Sequence, residues 1–254
     1  MQSKLDKIDN YYINKLNNIL TENNVCKSHG IDHAKSVYKN AQYALACDNI
    51  LNRYEKSAVL IASLLHDADD KKFFPNNNNN ENSRLILTGK SSDFINLVIY
   101  MINLVSSSSN GDKIPNDVKD NLWMLIPRYS DRLEAIGEIG IVRCYQYGVT
   151  FKRKLFTDKT PRAKNENDIY EIATQKRYDS YCGKSKSMID HYYDKLLRAH
   201  LFPIDNYYLL NEAKKRNKYL INFIIDFGKT GIVDENYIIK LAKHINMPIV
   251  VPIN

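Results

Sequence analysis

The sequence predicts an all-α fold, and three observations carry that expectation. Glycine (9) and proline (7) are scarce among 254 residues, which suits long helices with short connections better than many tight β-turns. Apolar residues recur at three- and four-residue spacing through most of the chain, the period of a helix with one buried face. No stretch alternates apolar and polar residues for long enough to argue for a sheet. The length and a hydrophobic content of 44% suit an ordinary core in a single domain, expected to span 1–254.

Residues 1–22 read as a helix with Leu5, Ile8, Tyr12, Leu16 and Leu20 on one side. A second helix is expected from Ile31 to Cys47, with Val37, Ala41, Ala44 and Leu45 as its apolar stripe. The third, "RYEKSAVLIASLLHDAD", is apolar on most sides and therefore central. "FFPNNNNNEN" is a loop, and its asparagine run reads as a mobile low-complexity insertion at about 75–83. "SRLILTG" and "SSDFINLVIYMINLVSSSS" resume the helical pattern, with Ser91 or Ser92 as a cap, and "NGDKIPND" is a turn or loop. "DVKDNLWMLIPRYSDRLEAIGEIGIVRCYQYG" is helical again, interrupted near Pro127. Residues 151–184 are charged and weakly periodic, the pattern of a lid, an insertion or a partly disordered segment. "SKSMIDHYYDKLLRAHLF" and "NYYLLNEAKKRNKYLINFIIDFG" form two more amphipathic helices, and the tail from Gly231 is a C-terminal helical extension packed on the body.

Net charge is +7 and the pI about 9.0. A basic surface steers phosphorylated partners inward, which fits nucleotides, nucleic acid or anionic membranes. The same abundance of Lys, Asn, Ile and Tyr also fits an A/T-rich coding genome. Cys26, Cys47, Cys144 and Cys182 are scattered without a CxxC pair, so they read as free thiols of a reducing compartment rather than a disulfide frame. No run of about 18 apolar residues marks a membrane span, and "MQSKLDKIDNYYINKL" is too polar for a secretory signal. An intracellular, cytoplasmic protein is expected.

The chemistry concentrates in "IASLLHDADD", residues 61–70, where an apolar run ends in His66 and three aspartates. A bare carboxylate at an apolar helix end is costly, and a divalent cation relieves the cost by supplying the counter-charge. Neutral imidazole with carboxylate suits divalent Zn, Mn, Fe or Ni. Two His and two Asp from separate helices would leave coordination positions for water, which a metal activates as a nucleophile. The structural alternative is a histidine that caps its helix and aspartates that face solvent. His29 and His33 are four apart, but Gly30 favours a helix that begins after it. No GxxxxGK[ST] loop is present for phosphate binding.

In order, "HGIDH", "LLHDADD" and "YSDRLEAIG" resemble the H…HD…D pattern of the HD-domain metal-dependent phosphohydrolase superfamily. "SDRLEAIGEIGIVR" and "DHYYDKLL", the latter residues 190–197, further resemble later motifs of its YedJ-like branch. The likeness covers roughly residues 25–230, interrupted by the asparagine run and by 151–184. It implies an HD-domain helical bundle, one divalent metal ion (Mn, Mg, Co, Ni, Fe or Zn) and the ligands His33, His66, Asp67 and Asp131. His29 is not assigned as a ligand. The implied catalytic groups are Asp67 and Asp70, the latter as general acid/base, although an Asp is shorter than the Glu common there. Where the family carries an arginine three after the first histidine, this chain has Ser36. No histidine lies between Asp67 and Asp131, which favours one metal and argues against the phosphodiesterase branches and a di-iron oxygenase.

Charge on a transferring phosphoryl group needs cations beside it, and Lys71, Lys72, Arg132 and Lys195 are the candidates. Arg132 has a second expected role in orienting Asp131 or Glu134. His191, four before Lys195, could touch a leaving group, while His200 and His244 are assigned to structure or surface. "VSSSSNG", 105–111, reads as a helix terminus and loop that could also offer hydroxyls to a ligand. The expected activity is hydrolysis of a small phosphorylated substrate, foremost a nucleotide, by a metal-activated water. The alternative is a degenerate HD fold that binds nucleotide or nucleic acid without catalysis.

Overall fold

The computed structural model describes residues 2–26, 29–47, 50–106 and 113–248. The side chains of residues 2–9, Leu5 and Ile8 of the expected stripe among them, and most of the "VSSSSNG" stretch lie outside the described residues. Twelve α-helices and no strand occur among the described residues, as the spacing of apolar residues predicts. The helices divide between two compact units, Met1–Asp131 with Ile204–Leu209, and Arg132–Pro203 with Leu210–Asn254.

The first unit is built on α1 (Gln2–Glu22), α2 (Ile31–Ala46), α3 (Arg53–Leu65), α4 (Glu81–Ile86) and α5 (Ser92–Val105). Helix α3 packs against both α2 and α5, because it is apolar on several faces: Ala58, Val59, Ala62 and Leu65 are fully buried, as are Val37, Ala41 and Ala44 of α2. Its start is a reciprocal capping box. Asn52 accepts from the Tyr54 and Glu55 amides, and Glu55 accepts from the Asn52 amide. The helix ends at Leu65, four residues before the expected end, so His66 and the aspartates stand in the turn that leaves it. Ser91 caps α5, its hydroxyl accepting from the Phe94 amide at 3.4 Å.

The asparagine run is tied down rather than loose. Asp69 accepts from Asn77 Nδ2 (2.9 Å), the Asn82 amide (2.8 Å), the Ser83 amide (3.0 Å) and Ser83 Oγ (2.6 Å). Asn79 and Asn80 take left-handed backbone, φ 57 and 55, a conformation that asparagine tolerates better than most residues. A compositional bias that resembles disorder here supplies turn formers around one carboxylate.

Helix α6 (Ile126–Glu134) follows two 3₁₀ turns, Asn116–Val118 and Leu122–Leu125. Pro127 therefore lies in the first turn of a helix, where its missing N–H costs nothing, and does not interrupt one. Arg128 is 1% exposed, and its guanidinium donates to the Leu104 carbonyl at 2.6 Å and to the Lys113 carbonyl at 3.3 Å. It thereby closes the end of α5 with a charge-assisted bond.

The second unit contains α7 (Gly137–Thr150), α8 (Glu166–Ile172), α9 (Gln175–Asp179), α10 (Met188–Asp194), most of α11 (Tyr207–Thr230) and α12 (Glu235–His244). α7 packs against α10 and α12. Residues 151–184, expected as weakly structured, carry two helices and the buried Thr160, Ala163, Ile169 and Ala173. Short polar ties hold the segment: the Met188 and Ile189 amides donate to the Lys154 and Leu155 carbonyls at 2.9 and 3.0 Å. Gly228 of α11 lets that helix approach closely, since a Cβ there would lie 1.7 Å from the Ala163 carbonyl oxygen.

Asp69→Ala is expected to cost roughly 2–4 kcal/mol, because it removes four bonds to a carboxylate and orphans the buried Ser83 amide and hydroxyl. Urea denaturation measures this; a change under about 0.5 kcal/mol would show that the loop does not depend on Asp69.

Candidate metal centre

Three elements of the first unit deliver four side chains to one place. His33 comes from the first turn of α2, His66 and Asp67 from the turn after α3, and Asp131 from α6. The imidazoles are buried, while Asp67 and Asp131 keep 21% and 19% of their side-chain surface exposed, so the cluster opens on its acidic side. His66 Nε2 lies 3.2 Å from His33 Nε2. Asp67 Oδ2 is 3.3 Å from His66 Nε2 and 3.7 Å from His33 Nε2. Asp131 Oδ1 is 3.4 Å from His33 Nε2 and 3.6 Å from His66 Nε2. Ligand atoms of His33, His66 and Asp131 all lie within 4.8 Å of one another, and the expected fourth ligand Asp67, although near both imidazoles, is not part of that group.

These spacings fit a divalent cation. Donors held about 2.1 Å from a common centre are about 3.0 Å apart at the edge of an octahedron and about 3.4 Å apart in a tetrahedron, and the five contacts span 3.2–3.7 Å. The donor chemistry fits as well, since imidazole with carboxylate suits a borderline or hard ion. His66 is also oriented for it: Nδ1–H donates to the Ser63 carbonyl at 3.0 Å, which turns Nε2 toward the cluster. Asn40 braces α6 beside Asp131, donating to the Ser130 carbonyl at 3.2 Å while its own oxygen accepts from the Tyr208 hydroxyl at 2.9 Å.

Without a metal, two imidazole nitrogens that face each other need a proton between them. Burial pulls the His66 pKa down, but the Asp67 charge and hydrogen bond, the Asp131 charge and the Ser63 carbonyl outweigh it and lift the group to about 9. Burial likewise works against an ionised Asp67, and the charge and hydrogen bond of His66, with His33, hold it well below the usual carboxylate range. The cluster therefore retains positive charge in either form, as a bound proton or as a cation.

The other expected residues fall in varied places. Asp70 follows in the same turn; its Oδ1 accepts from the Lys72 amide at 2.9 Å, and Oδ2 lies 3.8 Å from the exposed Lys72 ammonium. The Lys71 ammonium is turned to the asparagine loop, donating to the Asn77 carbonyl and, at 3.3 Å, to Asn78 Oδ1. Arg132 is buried at 7% exposure, and Lys195, in the second unit, ends α10 with its ammonium 5.7 Å from the Tyr181 ring centroid. Glu134 is engaged by Arg216, whose Nη1 donates to it at 3.1 Å and to the Leu133 carbonyl at 2.7 Å, while Arg143 donates to the Glu134 carbonyl at 3.1 Å. Gly137 adopts φ +76 with the Arg216 side chain 3.0 Å from where a Cβ would stand. Much of "DRLEAIGEIGIVR" is thus explained by packing around Arg216, a residue sequence reasoning missed because nothing near 216 signals a partner 82 positions away.

In "DHYYDKLL", Asp190 accepts from Ser187 Oγ (2.7 Å) and Thr160 Oγ1 (3.0 Å), and Arg177 Nε donates to Asp194 at 2.6 Å. His191 lies 3.3 Å from Ser185 Oγ and packs on Tyr181. His29 lies beside Phe73, ring centroids 5.3 Å apart, with Cys26 Sγ 3.4 Å from Nδ1. His244 is exposed, and the four cysteines are free thiols.

No family model matches the chain. Solved structures with a similar fold include a Lactobacillus plantarum protein (22% identity, TM-score 0.62, 87% of this chain and 94% of that one) and an HD-superfamily hydrolase from Bacillus thuringiensis (21%, 0.59, 90% and 96%). Bacillus subtilis YpgQ, solved in complex with ADP, is similar too (20%, 0.58, 89% and 99%). Together with the helical order and the His/His/Asp cluster, these define the chain as a protein of the HD fold. It is 39% identical over 218 residues to uncharacterized protein L803 of Acanthamoeba polyphaga mimivirus, spanning 78% of this chain and 88% of that protein. The chain belongs to the same family as that mimivirus protein.

Burial, with the Lys195 and Arg153 charges, pushes the His191 pKa down to about 3. The unfolded chain therefore takes up a proton near pH 6.5 that the folded protein refuses. Stability tied to this group is complete above pH 6.5 and declines as pH falls from 6.5 toward 3, by about 1.4 kcal/mol per unit. His191→Gln is expected to flatten this part of the stability–pH curve, read by urea denaturation between pH 7 and 4.5; an unchanged slope would contradict it.

Proposed function

We propose that the chain is a metal-dependent HD phosphohydrolase of the YedJ-like branch that cleaves a phosphate ester or anhydride of a small phosphorylated substrate, foremost a nucleotide. The observation that supports this best is the grouping of His33, His66 and Asp131, with Asp67 Oδ2 3.3 and 3.7 Å from the two imidazoles. The B. subtilis neighbour solved with ADP makes a nucleotide the leading substrate class. No helix among the described residues is long and apolar enough to cross a membrane, and an intracellular setting suits such a substrate.

In this reading His33, His66, Asp67 and Asp131 hold one divalent cation, which supplies Lewis acidity toward a phosphoryl oxygen and toward water. The Ser63 carbonyl fixes the His66 ring so that Nε2 serves as the donor. Asp67 contributes charge on the more exposed side, where substrate and water arrive. Asp70 moves a proton at its carboxylate, whose Oδ2 lies 3.8 Å from the Lys72 ammonium. Lys72, with Arg132 next to Asp131 on α6, offsets charge on the non-bridging oxygens. Lys71 reaches a phosphate only by giving up its contacts with the asparagine loop.

Release of phosphate or pyrophosphate from a panel of nucleoside mono- and triphosphates, with Mn, Mg, Co or Ni, tests this reading. The wild type is expected to turn over at least one substrate with metal and none after chelation. His66→Ala and Asp67→Ala are expected to lose more than about a hundredfold, since even groups behind metal ligands cost 10–100-fold. Full turnover by metal-loaded Asp67→Ala would rule the scheme out.

A further inference from the structure

The second unit holds a cavity of about 910 Å³ between α8, α11 and residues 200–203, within the size range of small-molecule sites. All of its lining residues belong to that unit, and none is a member of the His/Asp cluster. Phe202 and Ile221 give it a buried apolar floor, 7% exposed each. Tyr170 and His200 stand together in its wall, ring centroids 6.5 Å apart.

One polar group, His200, is set there with an acceptor left over. Asn217 is 3% exposed; its Nδ2 donates to the Tyr170 hydroxyl at 2.9 Å and holds that ring in the wall, while its Oδ1 is closed off from the cavity. His200 Nδ1–H donates to the Leu197 carbonyl at 3.0 Å, so in the neutral ring Nε2 is left as an acceptor. Burial, opposed by that bond and aided by the Arg198 charge, holds the ring below its ordinary pKa and therefore neutral near pH 7.

The rim is charged asymmetrically. Lys214 and Lys218, four apart on α11, are exposed at one wall, and Glu166 stands on α8, four before Tyr170. A ligand that satisfies all of this has an anionic group for the lysines, a planar ring for the aromatic wall, and a ring edge with an N–H donor for His200 Nε2.

We propose that this cavity is a binding site for a nucleoside monophosphate, with its phosphate on Lys214 and Lys218 and its base beside Tyr170 and His200. The site stands independently of the phosphohydrolase reading, because its residues and its ligand contacts need no metal.

The test is calorimetric titration of the full chain in EDTA, which silences the metal cluster, with AMP, CMP, adenosine and inorganic phosphate as probes. One nucleoside monophosphate is expected to bind one-to-one, and more tightly than adenosine or phosphate alone. Lys214→Ala with Lys218→Ala, both at exposed positions, is expected to weaken binding at least about tenfold through loss of two charge-assisted contacts. His200→Phe, with folding checked by circular dichroism, is expected to weaken it too through loss of the Nε2 acceptor, and His66→Ala to leave it unchanged. The proposal is overturned if neither monophosphate binds at millimolar concentration, if inorganic phosphate binds as well as the nucleotide, or if binding falls in His66→Ala but not in the lysine variant. The last result would place the nucleotide at the metal cluster.

Discussion

Two imidazole nitrogens 3.2 Å apart, flanked by two carboxylates, rest together only with a proton or a cation between them. That constraint organises the first unit. Helices α2, α3 and α6 each contribute to the cluster, so a shift in any of them would separate the donors. The cost of burying these groups is offset only when they converge, either on a proton or on a cation. The raised His66 pKa and the depressed Asp67 pKa are two sides of that mutual compensation.

The surroundings of the cluster serve the same convergence. Ser63 sets the tautomer and angle of His66. Asn40 links α2 to the backbone next to Asp131. Asp69, two residues past Asp67, gathers the asparagine loop around itself and so fixes the path of the turn that carries His66 and Asp67. Of the three aspartates in "HDADD", one joins the cluster, one builds the loop and one pairs with Lys72. The same side chain thus does different work according to what the turn brings within reach.

The helical class and most helix positions were legible because burial on one face leaves a periodic record. Val37, Ala41 and Ala44 are as buried as their spacing predicts. The meeting of His33, His66 and Asp131 was legible through the order of their motifs, although helical periodicity alone says nothing about which ends converge. What escaped the sequence was mostly polar and long-range. The asparagine run resembles disorder in composition, yet it folds because a single carboxylate collects its donors. Residues 151–184 lack a long period because two short helices, a few scattered buried side chains and backbone ties to α10 hold them. Arg216 and Asn217 sit in an ordinary amphipathic pattern, and their roles depend on Glu134 and Tyr170, both distant in the chain. Nothing in the sequence around Lys71 signals that the asparagine loop which follows engages its ammonium.

The most direct measurement is an anomalous-difference map from crystals soaked in manganese. A single strong peak bounded by His33 Nε2, His66 Nε2, Asp67 Oδ2 and Asp131 Oδ1 is the result expected. A map with no peak among those four atoms, or with its only peak held by other residues, would contradict the central claim that they converge to hold one divalent ion.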